Sequence, residues 1–323
     1  MNKVITINGV DRYTGYIPNP QGTNEFCELL LKCGHNPWGK DVAKNIFTDD
    51  EKKDVLLAPY LIRCFPNWLS VNQQVGSCMA FSCAHNIDVL ACVQIYLQNS
   101  LEDVIDLVSI ECMYGFMRVE VFGKPDFGGD GAYGGAAAKA VMQFGTLHRK
   151  KYDLGKGYDL TNYSGARARE YGKTGVPNEL EPLAREHLVK TATMVTNFDD
   201  AAKFIMNGYP ISNAHGSNPT FTGTRDKDGY GRGQGYSHAM NYVGVRWGSK
   251  PALLKTNTGW PDTVDGPLWP DQMNINKSLA ACCWWEEASI CDKVLAGEDS
   301  FAYSQYQGFK KQDLPDYGTG EFL

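Results

Sequence analysis

The sequence predicts an α+β protein with two lobes, and three observations support this prediction. The clearest helical patterns lie in the first half of the chain, whereas the strand-like runs lie in the second half. Helices and strands that are segregated along a chain are typical of α+β architecture. A length of 323 residues is enough for a sizeable core, and a hydrophobic content of 43% is ordinary for a globular protein.

Five segments have helical patterns, and the second is the clearest. They cover residues 24–32, 78–97, 100 to about 117, 136–144 and 199–206. The second segment has no Gly or Pro, and its only charged residue is Asp88. Because it is apolar on nearly all sides, we expect it to be buried in the middle of the domain. Ahead of it, Pro59 and Pro66 favour an extended lead-in over a helix.

The second half contains the predicted strands. Apolar runs at residues 240–245 and 253–255 indicate strands, after an extended piece that begins at Pro210. Residues 216–236 are dense in Gly, Thr, Asn and Asp, and we expect them to form a loop.

The composition argues against several classes of partner. The formal net charge is −6 and no basic run occurs, so we expect no nucleic-acid partner. No apolar stretch approaches the length that crosses a bilayer, and the first residues lack the pattern of a signal peptide. We therefore expect no membrane partner and a cytoplasmic location. The oligomeric state stays unknown at this stage.

The ten cysteines lie mostly in apolar surroundings, so we expect buried, reduced thiols. Cys27, Cys33 and His35 form one grouping with metal-ligand chemistry, but no second close-spaced pair of ligands accompanies it. The sequence therefore predicts no metal site and no cofactor.

Cys78 has the setting of a nucleophile. It opens the predicted buried helix, where the positive end of the helix dipole favours a thiolate. Gly76 lets a substrate backbone come close. By itself, a cysteine at the start of a helix is more often inert than catalytic. Its surroundings, NQQVGSCMAFS over residues 72–82, resemble the nucleophile segment of papain-like cysteine peptidases, which strengthens the catalytic interpretation.

Two later segments resemble the other catalytic segments of that family, in the same chain order. His238 lies in GYSHAM, and the family's catalytic histidine has a similar setting before an apolar strand. Asn257 lies in KTNTGW, which resembles the segment whose asparagine accepts a hydrogen bond from that histidine. His215 is a rival base, but no amide segment follows it at a comparable spacing. The resemblance implies Cys78 as nucleophile, His238 as base and Asn257 as the residue that orients the imidazole.

The resemblance also implies an oxyanion hole and a substrate cleft. The oxyanion would be bound by the backbone N–H of Cys78 and by a side-chain amide, for which Gln73 is preferred over Gln74 and Asn72. The family's glutamine lies six residues before the nucleophile, where this chain has Asn72. The segment that lines the cleft on its non-prime side is matched by Gly128, Gly129, Asp130, Gly131 and Ala132.

The resemblance spans roughly residues 57 to 287 and implies the two-lobed papain-like fold, with a helical left lobe, a β-rich right lobe and the cleft between them. We divide the chain into an N-terminal extension of unknown role (1–54), a papain-like cysteine peptidase domain (55–290) and a C-terminal tail (291–323). The implied function is a cysteine endopeptidase that hydrolyses polypeptides through an acyl-enzyme on Cys78, whose resting state is a thiolate–imidazolium pair.

Two departures from the family keep other functions open. The spacing before Cys78 is shortened by one residue, and Trp260 lies one position later than the tryptophan that shields the family's His–Asn pair. These departures are compatible with a non-catalytic binding or structural protein on a degenerate fold. A third possibility is another cysteine acyl-transfer enzyme that acts on cell-wall or isopeptide bonds.

Overall fold

The computed structural model describes residues 3–7, 9–45, 51–97, 106–123, 130–155, 157–216, 219–235, 237–268 and 273–307. The helices are α1 (Pro20–Lys32), α2 (Gly39–Asn45), α3 (Ala58–Cys64), α4 (Cys78–Leu97), α5 (Ile110–Gly115), α6 (Gly134–Gln143), α7 (Gly165–Thr174), α8 (Glu181–Ala184), α9 (Phe198–Met206), α10 (Lys277–Ala280) and α11 (Ala288–Leu295). A π-helical stretch, Phe116–Val121, continues α5. The strands are β1 (Lys3–Ile7), β2 (Val10–Thr14), β3 (Val55–Leu56), β4 (Lys151–Tyr152), β5 (Tyr158–Asp159), β6 (Val189–Met194), β7 (Ile211–His215), β8 (Pro219–Arg225), β9 (Gly231–Gly235), β10 (His238–Arg246), β11 (Ala252–Thr256), β12 (Cys283–Glu287) and β13 (Phe301–Tyr306).

One seven-stranded sheet dominates the β-rich lobe. Its order is β12-β11-β10-β7-β13-β6, and β3 pairs with β10 beside this path. Every pairing in the sheet is antiparallel. The helical lobe is built from α4, α5, α6 and α7, and α4 packs directly on β10. The α+β prediction is therefore confirmed, and the contact between α4 and β10 joins the two lobes.

Polar side chains fasten α4 to the sheet. Asn241 Nδ2, on β10, donates to the carbonyl oxygen of Ser82 at 2.7 Å. The Ser82 hydroxyl lies 2.7 Å from the hydroxyl of Ser212, on β7. Both bonds are buried, where an unpaired polar group is costly, so they fix the first turn of α4 against the start of β10.

The helix α4 corrects one expectation from the sequence. Within the described ranges, it is the one helix long and apolar enough to cross a membrane by length and composition, although we expected no such stretch. The rest of the protein buries 89% of the 18-residue window of α4 that meets this criterion. A helix that is apolar on all sides is equally suited to the core of a large domain, which is where α4 lies.

Three local predictions also need correction. The lead-in around Pro59 is not extended throughout, because α3 includes this proline in its first turn, where no helical hydrogen bond is lost. The predicted loop at residues 216–236 contains the antiparallel ribbon β8–β9. The predicted helix start at Ser100 lies outside the described residues, and α5 begins at Ile110 with the Ser109 hydroxyl as its N-cap.

Elements of the predicted N-terminal extension and of the predicted C-terminal tail pack on the rest of the described residues. Helix α1 lies against α6, and its Phe26 contacts Phe301 edge to face at 6.0 Å between ring centroids. Strand β13 pairs with both β6 and β7 inside the main sheet. Elements from both sides of the predicted boundaries at 54/55 and 290/291 therefore share one core, and the boundaries stay a prediction.

A buried ion pair crosses the sheet between β11 and β12. Lys255 Nζ lies 2.9 Å from both carboxylate oxygens of Glu286, and the two side chains are 0% and 3% exposed. The hydroxyl of Tyr242 donates to the same carboxylate. Removal of one partner would leave the other charge buried without compensation.

We expect Lys255→Met to lower the free energy of unfolding by about 3–5 kcal/mol, because it leaves the buried Glu286 carboxylate without a positively charged partner. Urea denaturation followed by circular dichroism measures the change. The double variant Lys255→Met/Glu286→Gln removes both charges and keeps an acceptor for Tyr242, so it should recover most of the loss. A single variant as stable as the parent would show that the pair is not important for stability.

Candidate active site

Cys78 is the first residue of α4, and its side chain is fully buried. The loop before it is held by Asp130, whose Oδ2 accepts the Gly76 N–H at 2.6 Å. The Tyr114 hydroxyl donates to the other oxygen of this carboxylate. Asp130, predicted to line the cleft, therefore also anchors the loop that presents Cys78.

His238, which begins β10, and Asn257, which follows β11, lie together at one end of these paired strands. His238 is the first residue of β10, and its Nε2 lies 3.2 Å from Asn257 Oδ1. The imidazole stacks on the Trp260 indole, with ring centroids 4.0 Å apart and planes inclined by 23°. The one-residue displacement of this tryptophan thus does not prevent it from covering the histidine. The ring of His238 is fixed by both a hydrogen bond and a stacking contact.

The next residue of β10 reaches the thiol. The backbone N–H of Ala239 lies near the Cys78 sulfur and lowers the pKa of the thiol. His238 therefore enters the sheet immediately beside the nucleophile candidate. The rival base, His215, faces His238 in register on β7, but its Nδ1 lies 2.9 Å from the carbonyl oxygen of Gly216. The geometry favours His238 over His215.

The three candidate oxyanion amides have different surroundings. Gln73 is 1% exposed, its N–H donates to Gly259 O at 2.8 Å, and its Nε2 donates to Val75 O at 2.8 Å. Gln74 is exposed and lies beside Gly165 of α7. The oxygen of Asn72 accepts from Arg12 Nη1 at 3.0 Å. Gln73 is the buried amide next to the Asn257 segment, so it stays the preferred candidate.

Residues 12–17, which we call the covering segment, run across this site. The Gly15 N–H lies near the Cys78 sulfur and lowers the pKa of the thiol. The Gly15 carbonyl accepts from Ala132 N–H at 2.9 Å, and Ile17 N–H donates to Ala132 O at 3.0 Å. Upstream, Trp260 Nε1 donates to Tyr13 O at 3.1 Å. The segment therefore seals the thiol from solvent and covers the tryptophan that shields His238.

The covering segment is not in a position to be cut at Gly15. A thiolate attacks a carbonyl carbon, but Cys78 meets the amide N–H of Gly15, whose carbonyl oxygen points to Ala132. A Cβ on Gly15 would lie 1.8 Å from the Gly76 carbonyl oxygen, so only glycine fits here. No local sequence pattern predicts this segment, because its contacts are all distant along the chain.

The remaining predicted cleft residues have separate positions. The Gly131 carbonyl oxygen accepts a hydrogen bond from Arg118 Nη1 at 2.8 Å, and a Cβ on Gly131 would lie 2.3 Å from Gly15 O. Ala132 is the residue that pairs with the covering segment, in a parallel bridge with Tyr16. Gly128 and Gly129 lie outside the described residues. The predicted cleft segment thus offers an edge to which an extended chain can bind.

Burial controls the charge state of the covered site. It raises the pKa of Cys78 to about 12, against hydrogen bonds from Ala239 and Gly15. Burial and the positive charge of Lys255 lower the pKa of His238 to about 3, against the hydrogen bond to Asn257. Both groups are therefore neutral near pH 7 while the covering segment is in place. The expected thiolate–imidazolium pair is not the resting state of this covered conformation.

We expect Gly15→Ala to raise the rate of Cys78 alkylation by iodoacetamide roughly 5- to 150-fold. Overpacking costs about 1–3 kcal/mol, and this cost falls only on the covered state. The rate is measured by mass spectrometry on the peptide that contains Cys78. Val10→Ala, at a 43% exposed position just before the segment, is the control and should react like the parent. Equal rates for Gly15→Ala and parent would mean that the segment does not limit access.

The pH dependence of the same alkylation should differ between the two chains. In the parent, the Cys78 pKa of about 12 keeps the thiol protonated, so the rate should rise about tenfold per pH unit from pH 8 to 10. In Gly15→Ala, solvent reaches the thiol and removes the burial that raises its pKa, so the rate should level off within this range. Parallel profiles would contradict the proposed effect of burial.

The comparison with known proteins identifies the fold of this chain. No model of a known protein family matches the chain, and neither does any curated protein. Among solved structures, it is similar to xylellain, a cysteine protease from Xylella fastidiosa, with 14% identity over 90% of this chain and 95% of that one and a TM-score of 0.54. It is also similar to procathepsin B from Trypanosoma congolense, with 11% identity over 80% and 79% of the two chains and a TM-score of 0.46. The chain therefore has, in divergent form, the fold of papain-like cysteine proteases.

Proposed function

We propose that this protein is a cysteine endopeptidase with Cys78 as nucleophile and His238 as base. The observation that carries the proposal is the fixed imidazole of His238, which is stacked on Trp260 and hydrogen-bonded to Asn257. A histidine that is held by an amide, on a strand that begins beside a helix-opening cysteine, supports the assignment of these two residues as a thiol–imidazole pair.

The proposed reaction begins when the covering segment leaves the cleft. His238 takes the proton of Cys78, and the thiolate attacks the carbonyl carbon of a peptide bond. The resulting oxyanion accepts hydrogen bonds from the backbone N–H of Cys78 and from Gln73 Nε2. The imidazolium then donates its proton to the leaving amine, and an acyl-enzyme forms. Water, deprotonated by His238, attacks the thioester, releases the acid and restores the thiol.

The substrate proposed for this site is an extended polypeptide. Ala132 already pairs with an extended strand of this chain through both its N–H and its carbonyl. A substrate strand could use the same two groups, since recognition at an edge is mediated by main-chain hydrogen bonds. A cytoplasmic location and the absence of nucleic-acid and membrane partners stay predictions.

The non-catalytic alternative is favoured by one observation, which is the complete burial of the Cys78 thiol. Gly15→Ala separates the two functions, because it uncovers the thiol without changing the proposed catalytic residues. A peptidyl epoxide should label Cys78 in this variant, and a library of internally quenched peptides should be hydrolysed. The matched control is Gly15→Ala/Cys78→Ala. Fast alkylation by iodoacetamide without labelling or hydrolysis would favour the non-catalytic protein.

Acyl transfer is tested in the same assay by adding a primary amine. A hydrolase releases the free acid as its main product, because water attacks the thioester. A transferase would release mostly the amide of the added amine. Mass spectrometry of the products distinguishes the two outcomes.

A further inference from the structure

A recess lies beside α4, away from the thiol. Its volume is about 270 Å³, part of which is open to solvent, and the side chains that line it include Trp68, Leu69, His85, Asp88, Arg149 and Thr258. His85 follows Cys78 by seven residues in α4, which is about 10 Å along the helix axis. The recess is therefore separate from the position of the nucleophile and uses side chains that the proposed reaction does not.

His85 is the polar side chain of this recess that lacks a partner. It is 3% exposed, and within the described part of the chain neither of its ring nitrogens has a hydrogen-bond partner. Burial lowers the pKa of the imidazole to about 3, so near pH 7 the ring is neutral and has one N–H donor and one acceptor. Because a buried polar group without a partner is costly, the recess favours an occupant that forms a hydrogen bond with this ring.

Two charged side chains line the same recess, and the backbone of Val108 holds both of them. Asp88 Oδ1 accepts the Val108 N–H at 2.8 Å, and Arg149 Nε donates to Val108 O at 3.3 Å. Burial raises the pKa of Asp88 to about 7, against the Val108 hydrogen bond and the positive charge of Arg149. At pH 8 the carboxylate and the guanidinium therefore offset each other, and the recess combines donors and acceptors without a net charge.

A primary carboxamide complements these three side chains. Its two N–H groups can donate to Asp88 and to the acceptor nitrogen of His85, and its oxygen can accept from Arg149. An attached apolar group has the indole of Trp68 and the 68% exposed side chain of Leu69 as neighbours. A charged ligand would lose its hydration to enter a recess whose own charges already offset each other.

We infer that this recess is a binding site for a small, uncharged molecule that has a carboxamide beside an apolar group, and that His85 and Asp88 recognise the carboxamide. The inference does not depend on the proposed peptidase activity. The volume of the recess corresponds to about nine liquid waters, so a ligand of about nine non-hydrogen atoms is of suitable size.

The first test compares four compounds of nearly the same shape in the full chain at pH 8. Benzamide has the carboxamide, acetophenone lacks its N–H donors, benzoate is an anion and benzamidinium is a cation. Isothermal titration calorimetry measures their affinities, and the ring-nitrogen chemical shifts of ¹⁵N-histidine-labelled protein show whether His85 is contacted. We expect benzamide to bind with a Kd of about 1 mM or lower and to shift the His85 signals. Each of the other three should bind about tenfold more weakly, the effect of one lost hydrogen bond. If benzamide does not bind, or if another of the four binds as tightly, the inference is overturned.

The second test replaces the imidazole. His85→Phe keeps an aromatic ring against Trp68, whose ring centroid lies 5.8 Å away, and removes both unpaired nitrogens. It should weaken benzamide binding about tenfold without lowering the free energy of unfolding. His148→Phe is the matched control, because His148 is 4% exposed but its Nε2 lies 2.9 Å from the Tyr306 hydroxyl. This control should lower stability and leave benzamide binding unchanged. Equal affinity of the parent and His85→Phe for benzamide would contradict the inference.

The third test changes the charge of the recess. Asp88→Asn keeps the size of the side chain and an acceptor for the Val108 N–H, but it leaves the positive charge of Arg149 without its counterpart. The affinity for benzoate should therefore rise about tenfold relative to that for benzamide, since a charged partner adds a stronger hydrogen bond. An unchanged ratio would show that Asp88 does not face the ligand and would overturn the inference. This result decides the question even if His85→Phe does not fold.

Discussion

Cys78→Ala in the Gly15→Ala chain is expected to abolish peptide hydrolysis, with kcat lowered by about 10⁵- to 10⁶-fold. The reaction requires a covalent bond to the sulfur, and no hydroxyl or second thiol replaces it when the side chain ends at Cβ. Hydrolysis of an internally quenched peptide, followed by fluorescence, measures the loss. Binding of a peptide aldehyde should also disappear, because the aldehyde forms its hemithioacetal with the same sulfur.

Cys83→Ala is the matched control for this prediction. Cys83 lies in the same helix and is fully buried, with its sulfur 3.7 Å from the Tyr303 hydroxyl. Its truncation creates a small cavity, so it should lower stability while leaving kcat close to that of the Gly15→Ala chain. Retained turnover in Cys78→Ala would show that Cys78 is not the nucleophile, and loss of turnover in a folded Cys83→Ala would show that the effect is not specific to Cys78.

Gln73→Ala in the same background is expected to lower kcat by about 10²- to 10³-fold with little change in KM. The amide would donate to an oxygen that carries full negative charge only in the transition state, so its removal affects the barrier more than substrate binding. Steady-state kinetics on the quenched peptide give both constants. Gln73→Glu keeps the size of the side chain but replaces the donor with an acceptor, and it should be at least as slow.

Gln74→Ala and Asn72→Ala provide the comparison. The Gln74 side chain lies beside Gly165, away from the Asn257 segment, so its loss should leave kcat nearly unchanged. Asn72→Ala removes the hydrogen bond that holds Arg12, the first residue of the covering segment. In the chain that keeps Gly15, Asn72→Ala should therefore accelerate the alkylation of Cys78. A collapse of kcat in either variant, with Gln73→Ala nearly normal, would move the oxyanion role to that amide.

Some residues of the site could be predicted from the sequence, and others could not. Cys78, His238 and Asn257 were candidates because short sequence patterns resemble those of a known family, and the structure places His238 and Asn257 in contact. The shielding role of Trp260 was uncertain from sequence, because a one-residue shift changes where a side chain points in an unknown turn. The contact became clear only when the positions of β10 and the loop after β11 were known.

By itself, the sequence determined α4 and the α+β architecture. Both depend on local periodicity, since helical hydrogen bonds join residues four apart and apolar patterning selects the buried faces. The tertiary structure alone decided that residues 12–17 cover Cys78 and that Gly15 lies against Gly76. These contacts join residues that lie far apart in the chain, and no local pattern encodes them. Gly15 is glycine for a reason that is visible only when the Gly76 carbonyl oxygen lies beside it.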